Sequence, residues 1–321
     1  FCIKNGLVTQ SAARKQIMIV VFGSINADLF FSFAKLPRRG ETVLTDGYTF
    51  CPGGKGANQA AAAARDGADV HFVGAVGRDA NAAPCLDALT AAGVDVRHVH
   101  AVDGVTGTAV ISVEASGENQ ILVASGANMK ASADWLTDGL LAPGSTLLMQ
   151  MELPQTDTEA AIRRARERGC RVILNDAPLG PLSRAALAEV DILIANEEEA
   201  MGLLGNSAGL ENADLARGLA AMCRGTGIVT VGADGVVVAH EGGIFEVPAL
   251  PIDPVDTVGA GDAFCGILAA ALDRGEGLVG SVCRAVTASG LICTLPGAQS
   301  PELTEARIDA ALADLPSVVH I

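Results

Sequence analysis

The sequence predicts an α/β fold: a mostly parallel central sheet covered by helices on both faces, with a small β-sheet lid. Three observations lead there. From Leu147 onward, near-continuous apolar strands alternate with helices, the pattern of a parallel sheet buried on both sides. Two earlier stretches of extended segments, about 26–50 and 98–124, break that rhythm and are read as a small sheet standing off the body. Half of the 321 residues are hydrophobic, 37 are glycine and aromatics are few, which suits an Ala/Gly-rich α/β enzyme better than an all-β or disordered chain.

The elements follow in order. "IMIVVFG" (17–23) is a buried strand, and "DLFFSF" and "ETVLTDGYTF" are exposed or half-buried strands around a Pro/Gly turn. The alanine run makes "GKGANQAAAAARDGA" a helix, ended by Gly67. "DVHFVGAVG" is a strand and "AAPCLDALTAAGV" a helix; "TGTAVISVEASG" and "ENQILVASGAN" are joined like a hairpin. Then come the strand "TLLMQM", the helix "TEAAIRRARERG", the strand "RVILNDAP", and "VDILIAN" with the helix "EEEAMGLLG". A further helix leads into "GIVTVGADGVVVAH", and "CGILAAALDRG" reads as a buried helix. Residues 1–16 are taken as a flexible extension or expression remnant, and 17–321 as one domain with the lid segments inserted. There is no repeat at solenoid period and no low-complexity linker.

A formal net charge of −15 argues against nucleic acid and anionic membrane surfaces, which are bound through an excess of Lys and Arg. The apolar runs fall far below the about 18 residues of a membrane span, and the first residues hold no long apolar signal core, so the expected location is the cytoplasm. The eight cysteines are scattered, with no C-x-x-C pair and no histidine at zinc spacing. They read as small buried residues of a reducing compartment.

The familiar phosphate motifs fail. Lys55 in "GGKGANQ" is followed by Gly56, so there is no G-x-x-x-x-G-K-[ST]. "GAGDAF" has Phe264 where a dinucleotide fingerprint needs its third glycine. What remains is "DTVGAGDAF" (256–264), where Gly259, Ala260 and Gly261 open a helix. The first N–H groups of a helix lack internal partners, and the helix dipole favours an anion there. Asp262 in the same turn is either a first-turn acid stabilising the helix by about 0.3–1 kcal/mol or a base beside a phosphoryl group. "GGKGANQA" (53–60) pairs a second glycine turn with a helix start and adds Lys55 and Asn58, donors suited to a polyhydroxy ligand. Asn26 and Asp28 lie just past the first core strand, at the ligand end of an open α/β sheet.

Together these stretches resemble the ribokinase-like (PfkB) carbohydrate kinases, from about Ile17 to about Leu312. Both signature regions are present, "GGKGANQAAAAARDGA" early and "DTVGAGDAFCG" late. "GSINAD", "GTAVISVEASGENQI" and "SGAN" are most similar to the ribokinase branch. The resemblance implies a ribokinase-like three-layer sandwich and an ATP-dependent sugar kinase acting on a primary hydroxyl, in that branch the 5-hydroxyl of D-ribose. It implies sugar binding by Asp28, Gly54, Lys55, Asn58 and Glu152, with Asn26 nearby and Ile111 as an apolar lid contact. Asp262 would be the catalytic base, and the backbone of Gly259, Ala260 and Gly261 the anion hole. Asn196 would contact ATP phosphates, Glu199 would order the waters around Mg²⁺, and Thr230 and Gly232 would border the nucleotide. Asp256, as the cation carboxylate unless it only caps its turn, would hold K⁺ with carbonyls of Val258, Ile292, Leu295 and Gly297. A homodimer through the lid is expected by the same analogy.

The chain departs from the family's pattern in three places. "PGAQSPEL" is one residue short, so the last cation position falls on Pro301 unless Ser300 shifts into it. The asparagine usual near Val286 is missing. Phe30, Phe31 and Phe33 follow Asp28; by alternation Phe31 and Phe33 share a face, either packing the lid or a dimer contact, or stacking on a nucleobase. A nucleoside kinase, a fructokinase or other sugar kinase of this fold, and a catalytically silent sugar or nucleotide sensor stay open as alternatives.

Overall fold

The computed structural model describes residues 18–114, 119–205 and 209–321, so the extension at 1–16, Ile17 and the hairpin tip at 115–118 lie outside the described residues. In chain order the elements are β1 (Ile19–Phe22), β2 (Asn26–Phe33), β3 (Thr49–Gly53), α1 (Lys55–Arg65), β4 (Val70–Val76), α2 (Ala82–Ala91) and β5 (Asp95–Ala101). Then follow β6 (Gly107–Glu114), β7 (Asn119–Ala124), β8 (Thr146–Met149), α3 (Gln155–Glu167), β9 (Arg171–Asn175), α4 (Arg184–Leu187), β10 (Ile192–Asn196) and α5 (Glu197–Leu203). The chain continues with α6 (Asn212–Met222), β11 (Thr226–Thr230), β12 (Val236–His240), β13 (Gly243–Val247), α7 (Ala260–Asp273), α8 (Leu278–Cys293), α9 (Glu305–Ala311) and β14 (Val319–His320).

The large sheet has the order β14-β13-β12-β11-β10-β9-β8-β1-β4-β5. It is parallel from β11 to β5 and antiparallel from β11 outward through β14. β1 shows why both faces are covered. Ile19 and Val21 point into the layer holding α1, α7 and α8, while Val20 and Phe22 point into the layer holding α3 and α6. A strand apolar on both sides belongs in the middle of a three-layer sandwich. Its carboxyl end aims at the site.

The small sheet has the order β3-β2-β6-β7, two antiparallel pairs joined by a parallel β2–β6 contact. It differs from the sequence reading in two respects. Residues 41–48 of "ETVLTDGYTF" form no strand, because only Thr49–Gly53 lies opposite Asn26–Phe30 to complete a ladder. The segment from 98 to 101 belongs to β5, the edge strand beside β4 in the large sheet. A half-exposed edge strand carries the same polar alternation as a lid strand, so sequence alone cannot separate the two.

α1 and α7 lie side by side, and a buried ion-pair hub ties their far ends. Asp66, fully buried after α1, accepts from Arg284 Nε of α8 (2.9 Å) and from Arg274 just past α7 (2.8 Å). Arg284 also pairs with Asp309 of α9. The described cysteines are unpaired and buried or half-buried. Among the described residues no helix is long and apolar enough to cross a membrane.

Candidate active site

Two helix starts and two strand ends converge. Asp262 sits in the first turn of α7, 8% exposed, and both its oxygens accept hydrogen bonds from α1. Asn58 Nδ2 donates to Oδ2 (2.9 Å) and Gln59 Nε2 to Oδ1 (3.0 Å). Gly259 caps α7 in the left-handed region (φ +81°), a backbone that L side chains rarely adopt, and a Cβ there would press on Ala298 at 2.5 Å. The Ala260 N–H turns to the Thr257 carbonyl (3.3 Å), whereas those of Gly261 and Asp262 meet no protein acceptor among the described residues. Of the three backbone positions expected to form an anion hole, Ala260 is thus the one already engaged.

Beside this turn is a cluster of acids around one lysine. Lys55, half-buried at the start of α1, loses affinity for its proton through burial, but Asp262, Glu152 and Glu199 together outweigh that and raise its pKa. Glu152 accepts from the Lys55 backbone N–H (3.1 Å) and from the Ser24 hydroxyl. Asp28, on β2, is pushed up to about 7 by burial and then by the charges of Glu152 and Asp262. Its Oδ1 is buried with no hydrogen-bond partner among the described residues. A Cβ at Gly53 would lie 1.9 Å from Asp28 Oδ2, so only glycine lets β3 pass this carboxylate. An acid left unpaired and against its own charge preference is a group prepared for a ligand.

Asn26 is buried nearby and accepts from Asn128 Nδ2 (2.8 Å). On the lid, Phe30 and Ile111 are register partners and share the face of Asp28, with Ile111 buried. Phe31 and Phe33 point to the opposite face, and Phe31 packs against Tyr48 (ring centroids 5.5 Å apart). The aromatic on the ligand face is Phe30.

The Asp262 turn opens into a polar chamber of about 150 Å³, lined among others by Lys55, Asn175, Asn196, Glu199, Thr257 and Gly261. Through Thr230, Thr257, Ala260 and Gly261 it adjoins a larger cavity of about 530 Å³ that also reaches Gly232, Leu250, Val286 and Ser289. The larger cavity has no charged side chain in its lining. Val286, where an asparagine was missed, is part of that apolar wall.

Asn196 and Glu199 form a capping box on α5: the Asn196 side chain accepts from the Glu199 N–H (2.8 Å), and Glu199 Oε2 accepts from the Asn196 N–H (2.9 Å). Burial raises the Glu199 carboxyl, partly offset by the Asn196 N–H and by Lys55. One of its oxygens is left without a cap bond. Among the described residues no cluster of three or more His, Cys, Asp or Glu could hold a metal alone. A single carboxylate at a polar chamber does fit Mg²⁺, which keeps most of its shell as water and phosphate. Asp256 accepts from the N–H groups of Val258 (3.0 Å) and Gly297 (3.1 Å), binding two loops while each oxygen keeps a lone pair. The Ile292 carbonyl already accepts from Leu295. Ser300 is buried and Pro301 exposed, so the serine is the inward residue of the shortened segment.

Sequence reasoning missed the amides. Gln150 Nε2 donates to Gln59 Oε1 (2.7 Å), Gln59 Nε2 also donates to Asn175 Oδ1 (3.1 Å), and Gln299 Nε2 donates to Asn58 Oδ1 (2.9 Å). The available signal was polar residues at apolar positions: Gln150 breaks "TLLMQM", Asn175 ends "RVILN", and Gln59 interrupts an alanine helix.

The model of the pfkB family carbohydrate kinases matches residues 16–305. The chain is 36% identical to a ribokinase of Haemophilus influenzae over 287 residues, 88% of this chain and 94% of the relative. It is 34% identical to a Bacillus subtilis ribokinase, covering 92% of this chain and 99% of that one. Among solved structures, a Thermotoga maritima ribokinase superposes with a TM-score of 0.86 at 28% identity (92% of this chain, 99% of that chain). An Arabidopsis thaliana ribokinase complexed with ribose and ATP superposes with a TM-score of 0.83 at 28% identity (92% and 98%).

Proposed function

The chain belongs to the pfkB family of carbohydrate kinases and is a phosphotransferase with an alcohol acceptor, and we propose that this acceptor is D-ribose, phosphorylated by ATP on its 5-hydroxyl. One observation carries the proposal: an apolar cavity runs through a polar chamber to Asp262, beside the acid cluster under the lid.

In this reading the adenine occupies the cavity of about 530 Å³, bordered by Thr230 and Gly232, and the phosphates enter the chamber beside Asn196. Asp28, Lys55, Asn58 and Glu152 hold the sugar hydroxyls, with Gly54 and Asn26 shaping the floor and Ile111 the roof. Asp262 takes the proton as the sugar oxygen bonds to the γ-phosphorus and the bond to ADP breaks. The free N–H groups of Gly261 and Asp262, with Gly259 beside them, stabilise charge on the transferring group. Mg²⁺ bound near Glu199 would neutralise phosphate charge, and K⁺ beside Asp256, Val258, Ile292, Leu295, Gly297 and Ser300 would add to the field at the anion hole. Closure of the lid excludes water. Exposed apolar residues on the lid (Ile121, Leu122, Val123) support a lid-to-lid homodimer, and the expected compartment stays the cytoplasm.

Phe31 faces away from Asp28 and packs on Tyr48, so an aromatic contact to a nucleoside base would have to come from Phe30 instead. The test is ATP turnover with Mg²⁺ and K⁺ on D-ribose, D-fructose, 2-keto-3-deoxygluconate, adenosine and pseudouridine, with Asp262→Asn alongside. Ribose-dependent turnover lost in the variant supports the reading. Turnover on another acceptor corrects the sugar, and none on any favours a silent sensor.

A further inference from the structure

Asp262 is gripped at both oxygens, and the two grips differ in kind. Asn58 Nδ2 holds Oδ2 (2.9 Å), but Asn58 belongs to the sugar-facing turn, and among the described residues its own oxygen is held by Gln299 alone (2.9 Å), from another loop. Gln59 Nε2 holds Oδ1 (3.0 Å), and Gln59 is fully buried with every polar atom matched inside the protein. Its second N–H goes to Asn175 Oδ1 (3.1 Å), and its oxygen accepts from Gln150 Nε2 (2.7 Å). Chemistry fixes the orientation of this amide. A carboxylate oxygen can only accept, so the NH₂ must face Asp262.

The geometry points to Gln59 as a positioning residue that divides the labour of the Asp262 carboxylate: Oδ1 stays anchored on Gln59, and Oδ2 receives the proton of the sugar hydroxyl. Oδ2 becomes free when an arriving sugar draws Asn58 away. The proton then passes from the hydroxyl to Oδ2 as the oxygen bonds to the γ-phosphorus and ADP departs. Gln59 bonds neither sugar nor nucleotide. It works by fixing the carboxyl plane, so that Oδ1 stays occupied and Oδ2 is the oxygen turned to the hydroxyl. Gln150 supports it from behind. This inference rests on the proposed kinase activity at the same site.

The experiment compares the full-length wild type with Gln59→Leu and Gln150→Met in ATP- and ribose-dependent turnover, kcat and ribose KM being read separately and folding checked by thermal melts. For Gln59→Leu we expect kcat to fall by about 10²-fold, the cost of a misplaced reacting group, with ribose KM changed by less than about threefold. Gln150→Met should lose kcat in the same direction but by only about tenfold, because it loosens Gln59 without removing the donor. If Gln59→Leu does not fold, Gln150→Met decides by the same two readouts. Folded variants that keep wild-type kcat, or whose loss lies in ribose KM and not in kcat, overturn the role for Gln59 while leaving the kinase assignment intact. A wild type inert on ribose overturns both, and that failure shows before any variant is assayed.

Discussion

The two ends of the site are built by opposite means. At the proposed sugar end, Asp262, Glu152 and Glu199 act on Lys55, one Asp28 carboxylate oxygen is buried without a partner among the described residues, and Asp28 is pushed up to about 7. At the proposed nucleotide end, a cavity of about 530 Å³ is lined mainly by glycine, alanine, proline and aliphatic residues, with Thr230, Thr257 and Ser289 among them and no charged side chain. The first end stores unsatisfied polarity that one arrangement of hydroxyls can relieve. The second offers apolar surface and backbone to a flat ring. Discrimination should therefore concentrate at the sugar end, because a missing partner for a buried polar group costs far more than an imperfect apolar fit.

The sharpest way to break this contrast is at Asp262. Asp262→Asn should lower kcat by about 10²–10⁴-fold while ribose binding, read by calorimetry, survives. Next, Asp28→Asn should raise ribose KM by about 10–10²-fold through loss of a charge-assisted acceptor. The same variant should be the more stable protein. Asp28 has its pKa raised from 3.8 to about 7, so between those values the folded chain holds a proton that the unfolded chain releases. That destabilises the fold increasingly as pH rises from 3.8, and in full above about 7. The gain in melting temperature of Asp28→Asn should therefore be greatest at pH 8 and vanish near pH 4. In the wild type, ribose KM should be about tenfold higher at pH 6 than at pH 8, as the carboxylate loses its charge. The smallest effect belongs to the other end: replacing ATP by GTP or ITP should change kcat/KM by less than about tenfold. A hundredfold preference for adenine would mean that backbone groups read the base after all.

The same contrast decides what could be read from the sequence. Lys55, Asn58 and Asp262 announce themselves because polar residues flanked by glycine at helix starts have few other uses. The parallel sheet was legible because its strands are apolar on both faces. The nucleotide cavity was not, since Leu250, Val286 and Gly290 look like any core residues until α8 and the loop before α7 leave a gap between them. Nor were the amide bonds, because Gln59 and Asp262 meet across 203 residues of chain. The lid was half legible. Its strands alternate as expected, and that alternation already sets Phe30 on the face of Asp28 and Phe31 and Phe33 on the other; what needed the structure was the β2–β6 register that pairs Phe30 with Ile111. Residues 98–101, the second half of β5, read as lid in the sequence because an edge strand shows the same mixture of His and Val.

The ion-pair hub at the far ends of α1 and α7 bears on how this enzyme responds to salt. Asp66 is fully buried, the Arg284 side chain that ties it to α8 is 6% exposed, and the Arg274 side chain that ties it to the end of α7 is 30% exposed, so counterions reach the hub only from the Arg274 side. Exposed ion pairs separated by more than about 8 Å are screened at physiological ionic strength, whereas buried ones keep most of their strength. Added electrolyte should weaken the encounter of an anionic nucleotide with its local field while the alignment of base and sugar turn is unaffected. K⁺ at its own site apart, turnover of the loaded enzyme should therefore vary less with ionic strength than its capture of ATP does.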